Sequence, residues 1–190
     1  VYAAFMHMVD RQLGEIIKLL KKLKLDENTI FFLSGDTGGQ AYFATRDRPH
    51  GFFAPNLNPE TGKRFRAGKG SLYEGGLKVP YLVRWPGKIK SGTVSDHLFY
   101  YPDVMPTLAE LTNTECPKTD GISFLPTLLS SGKQENHTFM YWELGPQRAL
   151  RKDDWKAYRD KKGNWELYDL SSDIEEQIDL AHKKENVLKE

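Results

Sequence analysis

The sequence predicts an α/β fold in which a helix covers a strand buried on both faces, followed by a small antiparallel sheet with a terminal helix. Three observations carry this. Residues 1–25 place Phe5, Met8, Leu13, Ile16, Ile17, Leu20 and Leu23 at helical spacing along one side. Residues 29–33 read TIFFL, an uncharged β-branched, aromatic and aliphatic run of the kind found in parallel sheets under helices. Residues 138–143, 148–159 and 165–170 are strand-like runs, with turns supplied by Asp153-Asp154 and by residues 161–164.

The first helix carries Lys18, Lys21, Lys22 and Lys24 late, where cations complement the helix dipole. The chain then passes through Asp26-Glu27-Asn28 into the buried strand. Residues 79–85, VPYLVRW, read as the next strand, ended by Pro86-Gly87. Residues 101–112 read as a helix that Pro106 should kink or restart. Pro117, Gly121, Pro126, Ser130, Ser131 and Gly132 punctuate a linker holding a short helical turn at 125–129. A subdomain boundary is expected near residues 116–133, dividing the chain into 1–115 and 116–190. A closing helix over about 174–189 would pack Ile178, Leu180, Val187 and Leu188 on the late sheet.

A chain of 190 residues suffices for one domain with a real core, or a domain plus a small appendage. The 27 basic and 26 acidic residues leave a net charge of +1, which gives no reason to expect nucleic acid or an anionic membrane as partner. Cys116 is the single cysteine, so neither an internal disulfide nor a cysteine metal cluster is available. No stretch is long and apolar enough to span a bilayer. The chain opens inside a helical pattern without an initiator Met. It is therefore expected to be a piece of a longer protein, and the lack of a signal peptide says nothing about its destination.

Two segments carry chemistry. The first is residues 34–40, SGDTGGQ, directly after the buried strand. A carboxylate just past the carboxyl end of such a strand stands where open α/β sheets place ligands, and the glycines allow close backbone approach. The oxygens of Asp36 and Thr37 would suit a hard cation. The same residues also make an ordinary strand-to-loop turn. The second segment is residues 68–80, GKGSLYEGGLKVP. It is not a phosphate-binding P-loop: Gly70 follows the lysine where Ser or Thr belongs, and Gly62 is one residue too far away. What remains is Lys69 between two glycines, an amine that a ligand can approach without neighbouring side chains in the way. Between the two segments, Arg46, Arg48, His50, Arg64 and Arg66 are interleaved with Phe43, Phe52 and Phe53. That set could hold an anionic, ring-shaped substrate, or form a solvated loop.

Taken in order, the motifs SGDTGG, GKGSLYEGGLKVP, RWPG (84–87), DVMPT (103–107), DGIS (120–123), DWKAY (154–158) and ELYDL (166–170) resemble the carboxyl-terminal part of a type I, formylglycine-dependent sulfatase of the alkaline phosphatase superfamily. The resemblance covers nearly the whole chain. It implies the last strands of an alkaline-phosphatase-like sheet with covering helices, then the small antiparallel subdomain. It also implies that Asp36 ligates a calcium ion, that Thr37 stands at an asparagine ligand's position, and that Lys69 binds the sulfate oxygens. Gln40, Arg46, His50 and Arg66 are the candidates for gripping the substrate, a sulfated small molecule or carbohydrate. The implied setting is secreted, periplasmic or lysosomal.

The chain departs from the family pattern at Thr37 (for Asn), Gly35 (for Ser) and Lys78 (for Arg). Thr37 offers a shorter-reaching oxygen, and Lys for Arg is not neutral at a bidentate site. The family's nucleophile is a formylglycine made within C/S-x-P-x-R. Cys116 is followed by Pro117-Lys118-Thr119, with neither the spacing nor the arginine. The nucleophile is thus expected in a missing amino-terminal half, and the 190-residue piece alone is expected to be inactive. Two other readings stand beside the sulfatase: a catalytically silent module binding sulfated glycan or serving interaction, and a sister phosphodiesterase or phosphomutase. The last would need a second carboxylate–histidine set near Asp36, which the sequence does not supply.

Overall fold

The computed structural model describes residues 2–40 and 56–190. In chain order the regular elements are α1 (Tyr2–Lys22), β1 (Phe31–Ser34), α2 (Glu74–Leu77), β2 (Tyr81–Arg84), α3 (Val104–Thr112), α4 (Leu125–Leu129), β3 (Met140–Leu144), β4 (Gln147–Lys152), β5 (Trp155–Arg159), β6 (Trp165–Asp169) and α5 (Glu185–Lys189). Two compact units interleave along the sequence: Val1–Leu33 with Tyr81–His137, and Ser34–Pro80 with Thr138–Glu190. Residues 116–133 fall inside the first unit.

In the first unit α1 ends where Lys24 turns into the left-handed region, at φ +59°, and Leu25 N–H returns to Leu20 O at 2.9 Å. The 3-10 turn Asp26–Asn28 then leads into β1. Arg84 and Trp85 grip this turn: the guanidinium makes a two-pronged ion pair with Asp26 (2.8 and 2.9 Å), and the indole N–H donates to Glu27 O at 3.0 Å. β1 and β2 lie side by side in a two-stranded sheet. All four residues of β1 are half-buried, so among the described residues the strand is not covered on both faces as its composition predicts.

Pro106 neither kinks nor restarts a helix. A 3-10 turn at Tyr101–Asp103 precedes α3, and Pro106 is the third residue of α3, where its missing N–H would have had no intrahelical partner. Asp103 and Thr107, both fully buried, organise this region. The Asp103 carboxylate accepts from Tyr100 N–H (3.0 Å) and Ile122 N–H (2.8 Å) and pairs with His137 Nε2 (2.8 Å). The Thr107 hydroxyl donates to Asp103 O and accepts from Phe124 N–H. The DVMPT and DGIS motifs are therefore two sides of one buried hydrogen-bond network.

The second unit contains a four-stranded antiparallel meander in the order β3-β4-β5-β6. The run 148–159 folds back at Asp153-Asp154, with Lys152 opposite Trp155 and Asp153 at φ +54°. Leu72, Ala149 and Tyr158 form its core, joined by Tyr73, Leu77 and Trp142, so residues 72–77 pack on the β4–β5 face. After β6 the expected long helix is absent: only Glu185–Lys189 is helical. Carboxylates compete for the backbone here. Asp173 accepts from Gln177 and Ile178 N–H, and Asp179 accepts from Leu167 and Ala181 N–H. Leu180 N–H adds a bond to Leu167 O at 2.8 Å, so the segment runs along the edge of β6.

Buried charges lie under α2. The Lys156 ammonium on β5 sits 2.8 Å from Glu74 Oε1 and 2.8 Å from Glu176 Oε1, and all three side chains are almost completely excluded from solvent. The contact to Glu74 also has hydrogen-bond geometry. The second carboxylate oxygen of Glu176 accepts from Glu74 N–H at 2.6 Å. One cation serves two carboxylates. Desolvation works against an ionised Glu74, but attraction to Lys156 and its hydrogen bond outweigh that and hold Glu74 below the usual carboxylate range. Burial wins at Glu176 and pushes it up to about 7.

Two outcomes follow from these contacts. A Cβ at Gly121 would lie 2.1 Å from Pro102 O, so Gly121→Ala should cost about 3 kcal/mol in urea unfolding; an unchanged midpoint would refute the close approach. Glu176 binds a proton in the folded state that the unfolded chain releases, so its contribution to stability falls as pH rises from 4.5 to about 7. The urea midpoint should decline across that window in the wild type, and less steeply in Glu176→Gln.

Candidate functional site

The two chemistry-bearing segments meet within the second unit, held by backbone. β1 ends at Ser34, whose hydroxyl donates to Pro80 O at 2.9 Å. Gly38 N–H donates to Gly76 O at 2.8 Å, and Lys69 N–H donates to Gly39 O at 3.0 Å. A Cβ at Gly38 would lie 2.0 Å from Gly75 O, which explains why glycine occupies this buried position. Asn56 tightens the junction by donating its side-chain N–H to Gly75 O at 3.0 Å. Gly75 N–H in turn donates to Arg66 O.

On this backbone frame Asp36, Thr37, Gln40 and Lys69 are all exposed. Among the described residues neither the Asp36 carboxylate nor the Lys69 ammonium has a hydrogen-bond or ion-pair partner, and the two do not pair with each other. Among the described residues the Thr37 hydroxyl makes only a long contact, 3.3 Å, to Gly38 O. Arg46 and His50 lie outside the described residues. The Asp36 and Thr37 oxygens fit a hard cation by chemistry and exposure. Among the described residues no group of three or more His, Cys, Asp or Glu side chains gathers at a metal-sized site.

Arg66 is placed differently from the other substrate-gripping candidates. Its guanidinium donates to the Tyr168 hydroxyl and to Glu176 O (3.2 Å), pairs with Glu166 at 3.3 Å, and lies 4.4 Å from the Tyr73 ring centre. Glu166 also accepts from the Tyr73 hydroxyl at 2.7 Å and from the Tyr168 hydroxyl. Burial first, and then these bonds to Glu166, push both phenols far above their usual range. Arg66 therefore ties the stretch before Lys69 to β6.

Sequence reasoning missed Asn56, Glu74, Lys156, Glu166 and Glu176 as members of this neighbourhood. All but Asn56 and Glu176 lie inside motifs quoted for the resemblance (EGG, DWKAY, ELYDL), so a signal existed. What no spacing argument supplied was that these motifs converge. The frame makes a contrast testable: among the described residues a Cβ at Gly39 meets nothing nearer than 3.9 Å. Gly38→Ala should expose the Gly38 and Lys69 amides to rapid hydrogen exchange, while Gly39→Ala leaves them protected. Equal effects from both substitutions would contradict the docking described.

Comparison with known proteins agrees with this architecture. The Sulfatase family matches residues 1–114, and the family described as N-sulphoglucosamine sulphohydrolase, C-terminal, matches residues 63–189. An uncharacterized sulfatase of Schizosaccharomyces pombe is 29% identical over 100% of this chain and 41% of its own length. An N-acetylgalactosamine-6-O-sulfatase of Bacteroides thetaiotaomicron is 29% identical over 96% of this chain and 38% of its own. Among solved structures, Ps i-CgsB in complex with k-i-k-neocarrahexaose superposes with a TM-score of 0.75 at 26% identity, over 98% of this chain and 40% of that one. The chain thus spans about two-fifths of the length of these relatives, and its fold is that of the carboxyl-terminal part of their α/β architecture. By sequence and by structure, this chain belongs to the sulfatase family.

Proposed function

We propose that this chain supplies the calcium-binding and sulfate-binding side of a sulfuric ester hydrolase. The observation that carries the reading is the pairing of the 34–40 and 68–77 segments through Gly38–Gly76 and Gly39–Lys69 backbone bonds, which presents from one frame an acid and an amine that are unpaired among the described residues. In this reading Asp36 and Thr37 contribute oxygens to the calcium shell. Calcium, when bound, acts as a Lewis acid toward sulfate oxygens. The Lys69 ammonium donates to the sulfate oxygens and stabilises the negative charge that S–O cleavage leaves on the departing oxygen. Its backbone N–H is fixed on Gly39 O, so the main chain from which the amine extends is held before substrate arrives. The formylglycine nucleophile is assigned outside this chain, because Cys116 lacks its motif.

The substrate class we infer is a sulfated carbohydrate, in keeping with the names of the Bacteroides relative and of the carrageenan-oligosaccharide complex. Gln40, Arg46 and His50 are assigned to its sugar and sulfate groups. Arg66, already bound to Glu166 and Tyr168, is assigned to holding the frame. Among the described residues no helix is long and apolar enough to cross a membrane, and the inferred setting is secreted, periplasmic or lysosomal.

Thr37 favours a second reading, a silent module that retains the frame and binds sulfated glycan without turnover. Calorimetry on the longer protein separates the two. An enzyme should bind calcium, lose affinity in Asp36→Asn and gain it in Thr37→Asn; absence of binding in both the wild type and Thr37→Asn would select the silent module. Lys69→Met should lower kcat on an aryl sulfate by about 10²–10³-fold, and unchanged turnover would remove Lys69 from the mechanism. The 190-residue chain alone should hydrolyse no sulfate ester; robust turnover by it would overturn the assignment of the nucleophile elsewhere.

A further inference from the structure

The buried charge cluster of Glu74, Lys156 and Glu176 lies one step behind the site, and nothing in the sulfate chemistry above uses it. Its contacts run directly to the frame. Glu74 opens α2, the helical turn whose next two residues, Gly75 and Gly76, present the carbonyls that take Asn56 and Gly38. Glu74 is fixed twice: its side chain by Lys156 at 2.8 Å, and its backbone N–H by Glu176 Oε2 at 2.6 Å. Glu176 reaches inward from a left-handed backbone conformation, φ +56°, which a side-chain-bearing residue adopts only when its surroundings over-determine it. Arg66 bonds Glu176 O on one side and accepts Gly75 N–H on its own carbonyl on the other.

We propose that Lys156 and Glu176 are positioning residues for the Asp36–Lys69 site, acting through Glu74: they clamp the α2 turn so that Gly76 O holds Gly38 and, through the following residue, Gly39 O holds Lys69. The clamp uses both a charge and a backbone bond. A carboxylate or an amide at position 176 can accept from Glu74 N–H, whereas a methyl group cannot. An apolar residue in place of Lys156 removes the cation that Glu74 and Glu176 share and releases the α2 turn. The groups that face the cluster are Glu74 and Lys78 around α2, Lys156 and Arg151 on the sheet, and Arg66, which bonds Glu176 O and itself lies against Tyr73 and Tyr168.

This inference rests on the assignment of Asp36 and Lys69 only for its functional meaning, and its test does not need turnover. Amide hydrogen exchange in the ¹⁵N-labelled chain reads the clamp directly. In Glu176→Ala and Lys156→Met, the Gly38 and Lys69 amides should exchange about ten-fold faster or more while the β4 and β5 amides keep their protection. Glu176→Gln should retain wild-type exchange at Gly38. Protection lost equally across the sheet, or unchanged at Gly38 and Lys69, would overturn the proposal. If the substituted chains fail to fold, the wild type decides: under low urea the Glu74, Gly38 and Lys69 amides should open as one unit with a common free energy, and separate openings would overturn it. In the longer protein, Glu176→Ala should lower kcat with calcium affinity while Glu176→Gln restores both. Clamp-dependent exchange in a protein that neither binds calcium nor turns over sulfate would sink the enzymatic reading and leave the clamp standing.

Discussion

Two backbone hydrogen bonds, Gly38 N–H to Gly76 O and Lys69 N–H to Gly39 O, are the constraint on which the site depends. They join segments some thirty residues apart in sequence, and they do so without using any side chain. That has a chemical consequence. Among the described residues the side chains that emerge from the frame, Asp36 and Lys69, are not consumed in building it. It also has a steric cost, because backbone can approach backbone this closely only where no Cβ intervenes, as at Gly38.

Charge is handled in opposite ways on the two sides of this frame. On the outer side an acid and an amine stand exposed and unpaired among the described residues. On the inner side the described charges lie against partners: Lys156 lies between Glu74 and Glu176, and Arg66 lies against Glu166 beside the Tyr73 and Tyr168 rings. A buried ion left without its partner costs about 3–5 kcal/mol, so the inner charges hold the turn in a single arrangement. Exposed charges carry no such penalty and can await a ligand. Burial of the inner carboxylates beside one ammonium also explains why Glu74 and Glu176, chemically identical, titrate in opposite directions.

The order and type of elements were largely legible in the sequence. TIFFL, VPYLVRW and the late aromatic runs announced their strands, and Asp153-Asp154 announced a hairpin. The failures have physical causes. Pro106 looks like a helix breaker but sits in the first turn, where its missing N–H is harmless. Residues 174–189 have helical spacing, yet Asp173, Asp179 and the left-handed Glu176 bind the backbone locally and spend the segment on the edge of β6. Asp36 and Lys69 could be singled out because exposed chemistry beside glycines has a short sequence signature. Lys156 and Glu176 could not, since their importance arises from meeting Glu74 across 82 and 102 residues. A loop arginine suggests an anion ligand, and nothing in the sequence signals that Arg66 also bonds the protein's own tyrosine and glutamate side chains.

The most direct test of the central claim is anomalous diffraction from crystals of the longer protein soaked with calcium and inorganic sulfate. The account predicts a calcium peak on the Asp36 carboxylate and a sulfur peak whose oxygens lie within hydrogen-bond distance of Lys69 Nζ, both against one frame. A sulfate bound elsewhere, with Lys69 Nζ turned away from the ion on Asp36, would contradict it.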